Sequence, residues 1–324
     1  MQIDPTLFEP LPEDEKQKFG AVRPSVTYWK DARRRFARHK PAMISSIVLI
    51  VIFVAAVVIP FFYPYTYDQQ DRTYRNMAPT LQHIFGTDNL GRDLFIRVIY
   101  GARISLSIGI VASIINLTIG VLYGGLSGYY GGKLDNFMMR IVDILYAVPL
   151  LLYVILLRVT LKTGMEDAFE KSAFLKPFSG IGPDLFMIFL VLGMVYWVGM
   201  ARMIRGQVLQ LKGQEFVLAA KTQGAGTMRI ILRHLVPNVI GQIIVMVMMS
   251  IPSAIFTEAF LSFIGLGVSA PMSSWGSLAS SAMGSLRSFP YQLLFPVAAI
   301  SITILSFNIM GDGLRDALDP HMRK

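Results

Sequence analysis

The chain has 324 residues, of which 53% are hydrophobic and 16% charged, with a formal net charge of +9. That balance, with a mean hydropathy of +0.52, excludes an ordinary soluble domain and points to an all-α polytopic membrane protein, in which a basic excess reports orientation and not nucleic acid. There is no cysteine, which excludes disulfides, thiolate metal sites and cysteine nucleophiles.

Residues 1–41 form a polar tail. Its first 24 residues carry four prolines and mixed charge without apolar periodicity, so they read as a mobile segment. The tail is too polar and too long for the leader of a signal peptide, and no cleavage is expected. From Ser25 on, Trp29, Ala32 and Phe36 share one helical face while Lys30, Arg33, Arg34, Arg35 and Arg38 fill the rest. That suits a helix lying in the inner interface or, equally, a juxtamembrane basic cluster. Residues 42–62 contain no charge and form span one; a single Arg or Asp at its centre would cost ~2.5–3.5 kcal/mol. In the external segment 63–103, Thr87 or Asp88 is placed to cap a short interfacial helix carrying Leu94, Phe95, Val98 and Ile99.

Span two, 104–128, is uncharged and repeats Gly120, Gly124 and Gly128 every four residues, which lets helix backbones approach closely and places it inside the bundle. Span three, 138–158, has Pro149 at its middle and Arg140 and Asp143 one turn apart, read as a local ion pair with a snorkelling arginine. Residues 159–183 form an external loop with an amphipathic turn around Met165–Phe174, and span four covers 184–202, with Arg202 and Arg205 marking the inner surface. A cytoplasmic loop, 206–237, leads to span five, 238–258, which carries Pro252, Met246, Met248 and Met249. Glu258 ends that span about 30 Å from Asn238 at 1.5 Å per residue, near the outer surface. The Gly- and Ser-rich stretch 259–290, with Trp275 at an interfacial position, is either a re-entrant scoop or a surface loop. Span six, 291–311, is broken by Pro296, and 312–324 is a cytoplasmic tail. With both termini inside, 20 lysines and arginines face the cytoplasm against 9 in external segments, Arg103 lying at a boundary.

One part of the cytoplasmic loop stands out: Glu215–Asn238, EFVLAAKTQGAGTMRIILRHLVPN, is short, basic and built as two small helices around a glycine turn. Phe216, Ala219, Ala220 and Gln223 recur at helical spacing, Gly224 and Gly226 let the backbone reverse, Thr227 can cap the second helix, and Pro237 closes the unit. A rigid basic knob gives a soluble partner something to grip; a plain connector bearing the positive-inside bias has the same spacing.

No G-x-x-x-x-G-K-[ST] occurs: the single Gly-Lys pair, Gly132-Lys133, is followed by Leu134, so the chain cannot hold ATP in the P-loop manner and its energy source lies elsewhere. The G-x-S-G of Gly125–Gly128 resembles the nucleophile region of rhomboid-type intramembrane proteases. That chemistry needs a histidine at membrane depth, and His39, His83, His234 and His321 all lie in tails or loops. An ion-coupled secondary transporter is the rival class. It would use ionisable residues in mid-span, and the centres of all six spans lack Asp, Glu, Lys, Arg and His, although backbone carbonyls can in principle bind sodium.

The A-A-x-x-x-G pattern at Ala219, Ala220 and Gly224, followed by His234, Leu235, Val236 and Pro237, resembles the EAA loop of ABC importer permeases. Leu218 stands where the name-giving Glu of that motif would be, which leaves helix shape and small residues as the basis of docking. Together with WKDARRRF, FGTDNLGRDLF, TEAFLSFIGLG, SSWGSL and GDGLRDALDP, the resemblance runs over roughly residues 28–320 and is to the C-type permease subunit of oligopeptide and dipeptide ABC importers. It implies a type I ABC importer permease architecture with six transmembrane helices, N and C termini cytoplasmic, in a bacterial plasma (inner) membrane. It also implies a hetero-oligomer: a related permease subunit, two ATP-binding subunits that hold ATP and Mg, and an extracellular or periplasmic substrate-binding protein. No cofactor and no enzymatic activity are expected in this chain itself. By the same resemblance Glu215, Phe216, Ala219, Ala220, Gly224, Thr227, His234 and Pro237 couple to the ATPase. Asn116, Ser250 and Ser253 are candidates for lining the pathway of a peptide substrate, with nickel, glycosides or another cargo of the family as alternatives.

Overall fold

Gly120, Gly124 and Gly128 explain the centre of the molecule. In the computed structural model, which describes residues 27–171 and 182–319, they lie on the helix α3, Leu94–Tyr130, against Met200, Ala201 and Arg205 of α7, Trp197–Leu211. A Cβ on any of the three would overlap the α7 backbone or the stem of its side chains, so the stripe of hydrogens lets the two helices pack at close range. Around this pair the other helices are arranged in chain order: α1, Tyr28–Arg38; α2, Lys40–Phe62; α4, Gly132–Ala147; α5, Leu150–Lys171; α6, Pro183–Val195; α8, Glu215–Thr222; α9, Thr227–Ile230; α10, Ile240–Phe263; α11, Trp275–Ala282; and α12, Tyr291–Leu318. Every regular element among the described residues is helical. Five helical paths are long and apolar enough to cross a membrane: α2, α3, α6 with α7, Thr227–Phe263, and α12; α4 with α5 makes a sixth if that bent pair is one span. The expected mobile segment 1–24 and the end of the Met165–Phe174 turn lie outside the described residues.

Several boundaries differ from the sequence expectation for identifiable reasons. The helix that contains span two starts at Leu94, ten residues ahead of 104, because Asp93, not Thr87 or Asp88, caps it: Asp93 Oδ1 accepts the N–H of Ile96 at 3.0 Å. Leu94 and Val98 are buried against the bundle, so no separate interfacial helix forms. Span three breaks where Val148 is forced extended ahead of Pro149, and its halves meet at 84°. Asp143 pairs not with Arg140 but with Arg202 of α7, at 2.7 Å. Pro296 and Pro252, in contrast, sit inside continuous helices, and α12 continues to Leu318 through most of the expected tail. There it meets α1: Tyr28 Oη donates to the Leu318 carbonyl at 2.9 Å, and Arg35 to that of Asp319 at 3.2 Å. On the expected apolar face of α1, Ala32 is buried in this contact and Phe36 half-buried, while Trp29 is 55% exposed.

The stretch 259–290 is not a surface loop. Trp275, expected at an interface, is 1% exposed; its indole N–H donates to the Val98 carbonyl at 2.9 Å, and α11 packs on α3, α10 and α12. Glu258 does not end span five either. The helix runs on to Phe263, and the Glu258 carboxylate is fully buried, accepting from Ser262 Oγ at 2.6 Å and Ser105 Oγ at 3.1 Å.

Candidate functional site

At the α8 end of the bundle, the two expected small helices are present as α8 and α9, with the chain reversing at Gly224, φ +77°. No neighbour lies within 4 Å of a Cβ built on Gly224, so the glycine is required by its left-handed backbone and not by crowding. Gly226, with φ −69°, caps α9. Thr227, expected as that cap, is instead the first helical residue, its hydroxyl 3.5 Å from Tyr130 Oη. Pro237 does not close the unit: Ile231–Leu235 form a π turn, Val236–Val239 a 3₁₀ turn, and the helical path continues into α10. Pro237 is tolerated there because the first turn of a helix has no use for its missing N–H. His234, half-buried in the π turn, gives its carbonyl to Asn238 Nδ2 at 2.6 Å.

The knob has two faces. Val217 and Ala220 of α8 and Ile230, Ile231, Leu235 and Val239 beyond it are buried in one apolar cluster with Val121, Met200, Ile204 and Val208 of α3 and α7. Glu215, Phe216, Ala219 and Gly224 remain exposed, and so do Leu218, Met228 and Leu232, each about half. Ala219 and Ala220, adjacent in the motif, therefore do different jobs: Ala220 seats the knob and Ala219 faces outward. Burying a valine, leucine or isoleucine side chain gains about 1.5–3 kcal/mol, so the five larger residues of the seat hold it firmly, while the outward apolar patch is exposed among the described residues.

Two polar clamps that spacing along the chain does not disclose hold the same end. Arg205 of α7 donates through Nε and Nη2 to both oxygens of Asp135 at 2.6 Å, and Ser127 of α3 adds a bond at 2.5 Å. Lys212 Nζ donates to the Gly128 carbonyl at 3.0 Å. Lys221 lies 5.0 Å from the Tyr129 ring centroid, tying α8 to α3 by a cation–π contact.

The three pathway candidates do not come together. Asn116 is 2% exposed and turned into the subunit, with its Oδ1 unpartnered. Ser250 and Ser253 donate to carbonyls of their own helix, at 2.7 and 3.1 Å, and of the two only Ser253 is exposed, on the α10 face that also presents Met249 and Phe256. Toward the knob that face opens into a groove of about 610 Å³ lined by Met203, Gln207, Gln242, Met246 and Met249, with Arg315 at its edge.

Residues 116–324 match the family described as binding-protein-dependent transport system inner membrane component, and residues 27–79 match the N-terminal TM domain of oligopeptide transport permease C. The chain is similar to the oligopeptide transport system permease protein OppC of Bacillus subtilis, 45% identical over 99% of both chains. It is also similar to the dipeptide transport system permease protein DppC of the same organism, 46% identical over 96% of this chain and 92% of the relative. The OppC of Escherichia coli K12 is 44% identical over 91% and 92%. A multi-pass helical body, a seated basic knob and likeness over almost the whole length agree: the chain belongs to the binding-protein-dependent transport permease family, among its C-type oligopeptide and dipeptide members.

Proposed function

We propose that this chain is the C-type permease subunit of an ATP-driven peptide importer in a bacterial plasma membrane, with both termini and the knob in the cytoplasm. The observation that carries this reading is mechanical. The exposed face of the knob is continuous with a 37-residue helical path, Thr227–Phe263, about 55 Å long at 1.5 Å per residue. A displacement imposed at Met228 and Leu232 enters that path directly and passes through the π and 3₁₀ turns at Ile231–Val239, and one imposed at Phe216 and Leu218 reaches it through the buried seat that α8 shares with Ile230, Ile231 and Leu235. The patch suits a groove in an ATP-binding subunit, and two such subunits, holding ATP and Mg, supply the energy that a chain without a P-loop cannot. A related permease subunit completes the pathway along α10, and an external substrate-binding protein delivers the cargo. Peptide is the cargo named for the relatives, and an uncharged pathway suits a substrate whose side chains vary. ATP binding closes the ATPase pair and opens the pathway outward; hydrolysis resets it. The chain itself is a permease and not an enzyme.

The absence of cysteine makes the test direct. A Leu218→Cys variant, carrying a photoactivatable crosslinker in the assembled complex, is expected to capture an ATP-binding subunit and to react with thiol reagents from the cytoplasmic side. Capture of no ATP-hydrolysing protein, or reaction from the outside only, would sink the reading.

A further inference from the structure

We propose that the cavity between Asp88–Arg97, α11 and the start of α12 binds the carboxylate end of a small acid or peptide. The cavity, about 270 Å³, lies at the end of the bundle remote from α8. Leu94, Leu278 and Ala282 give it an apolar wall, and Arg92 and Arg97 line it with Asp88.

Two guanidinium groups here share one carboxylate, and that carboxylate is already engaged. Asp88 Oδ1 accepts the backbone N–H groups of Leu90 and Arg92, both at 2.9 Å, and Oδ2 accepts from Arg92 Nε at 2.7 Å. Arg97, 5% exposed, is left with its Nε 3.8 Å from Oδ2 and without a hydrogen-bond partner. Among the described residues its one hydrogen bond runs from Nη1 to the Tyr67 carbonyl at 3.2 Å. Asp68 is the other carboxylate whose field reaches Arg97, and it is exposed to water. A buried cation costs several kcal/mol in lost hydration unless it is paired, so Arg97 offers an incomplete set of partners to whatever enters.

The chemistry selects the occupant. The lining carries two positive charges and one negative, so a monoanion balances it, whereas a dianionic phosphate would meet Asp88. Gln292 does not compete for donors or acceptors: its Nε2 is spent on Asn76 Oδ1 and the Thr87 carbonyl, both at 3.0 Å, and its Oε1 accepts from Ser285 at 2.6 Å. The unspent side-chain donors belong to the exposed Asn89 amide and to the arginines, whose planar forks match a carboxylate, and the apolar wall suits the carbon attached to it. Naming a peptide as the carrier of that carboxylate rests on the transport reading; the anion site rests on the arginines alone.

In this cysteine-free chain, Ser281→Cys puts a single thiol on the cavity wall, at an exposed side chain bonded only to its own helix. The full-length variant in phosphatidylcholine nanodiscs is expected to react faster with an anionic than with a cationic methanethiosulfonate, relative to free cysteine, and Arg97→Gln is expected to erase that preference. Trialanine at twice its Kd should slow the reaction about threefold, since the unoccupied fraction falls as 1/(1+[L]/Kd); trialaninamide at equal ionic strength should not. Should Arg97→Gln elute as aggregate, Arg92→Gln, at a less buried side chain, serves in its place, and the contrast of acid with amide needs neither variant. No charge preference, equal slowing by the amide, or slowing by phosphatidylglycerol without peptide overturns the site. These results are independent of the Leu218→Cys crosslink, so the site and the transport reading can fail separately.

Discussion

The knob and the far end of the bundle bury different kinds of side chain. At the knob, the buried groups are almost all aliphatic, from Val217 and Ala220 to Leu235 and Val239. At the far end they include His83, Thr87, Asp88, Asp93, Arg97, Ser273 and Ser274. Apolar burial is strong but non-directional; hydrogen-bonded polar groups are individually modest and demand one geometry. The knob is thus built to be seated firmly while keeping a greasy outer face. The far end is built to hold a definite shape around charge: Asp93 caps α3 and also holds His83 at 2.7 Å, and Gln292 ties α12 to the Asn76–Thr87 loop. One end is suited to being pushed and the other to recognising.

Substitutions can break or sharpen that contrast. The largest expected effect is at the knob: Gly224→Ile forces a β-branched residue into a left-handed backbone, at about 1–2 kcal/mol, and should abolish peptide uptake while membrane levels of the protein persist. Ala219→Trp should do the same without lowering thermal stability, whereas Ala220→Trp overpacks the seat, costs about 1–3 kcal/mol and lowers Tm as well. If Ala219→Trp transports normally, the outward face of α8 is not a coupling surface. Next comes Arg205→Ala, which leaves the buried Asp135 carboxylate with Ser127 as its remaining side-chain partner. Because Arg205 is one-third exposed, the cost should fall at the lower end of the range for a broken buried pair, about 3 kcal/mol, read as a drop in Tm of the detergent-solubilised chain. Asp93→Ala at the far end should cost up to about 2 kcal/mol through the lost cap and loosen the 63–93 segment, visible as faster amide exchange there and not in α8. The smallest effect is expected from Glu258→Gln. Rotatable serine hydroxyls can re-pair with an amide, so the loss should stay within about 1 kcal/mol, while Glu258→Leu strands the donors and should cost about 1–3 kcal/mol. Equal Tm values for these two variants would show that the serine bonds to Glu258 contribute nothing.

Much was legible along the chain because it rests on local physics. Uncharged runs long enough to span a bilayer, the glycine stripe of α3 and the helix–turn–helix of the knob depend on composition, on i to i+4 spacing and on the backbone freedom of Gly224; the stripe and the turn are present, and five of the six runs lie in helical paths long enough to cross a membrane while the third is bent. What local physics could not decide were choices between competing partners. Asp143 had a near neighbour in Arg140 and a distant one in Arg202, and packing brought α7 within reach. Thr87, Asp88 and Asp93 can all cap a helix; only Asp93 lies where the tertiary fold lets α3 begin. Pro60, Pro252 and Pro296 stayed inside helices and Pro149 broke a span, a choice that the presence of a proline alone does not make. Burial of Glu258, Trp275 and Arg97 needed three or four segments distant in sequence to close around each. The one-dimensional pattern sets which segments are helical and apolar; which polar groups those helices enclose is settled only when they pack, because a buried charge or dipole is tolerated solely where remote residues complete its hydrogen bonds.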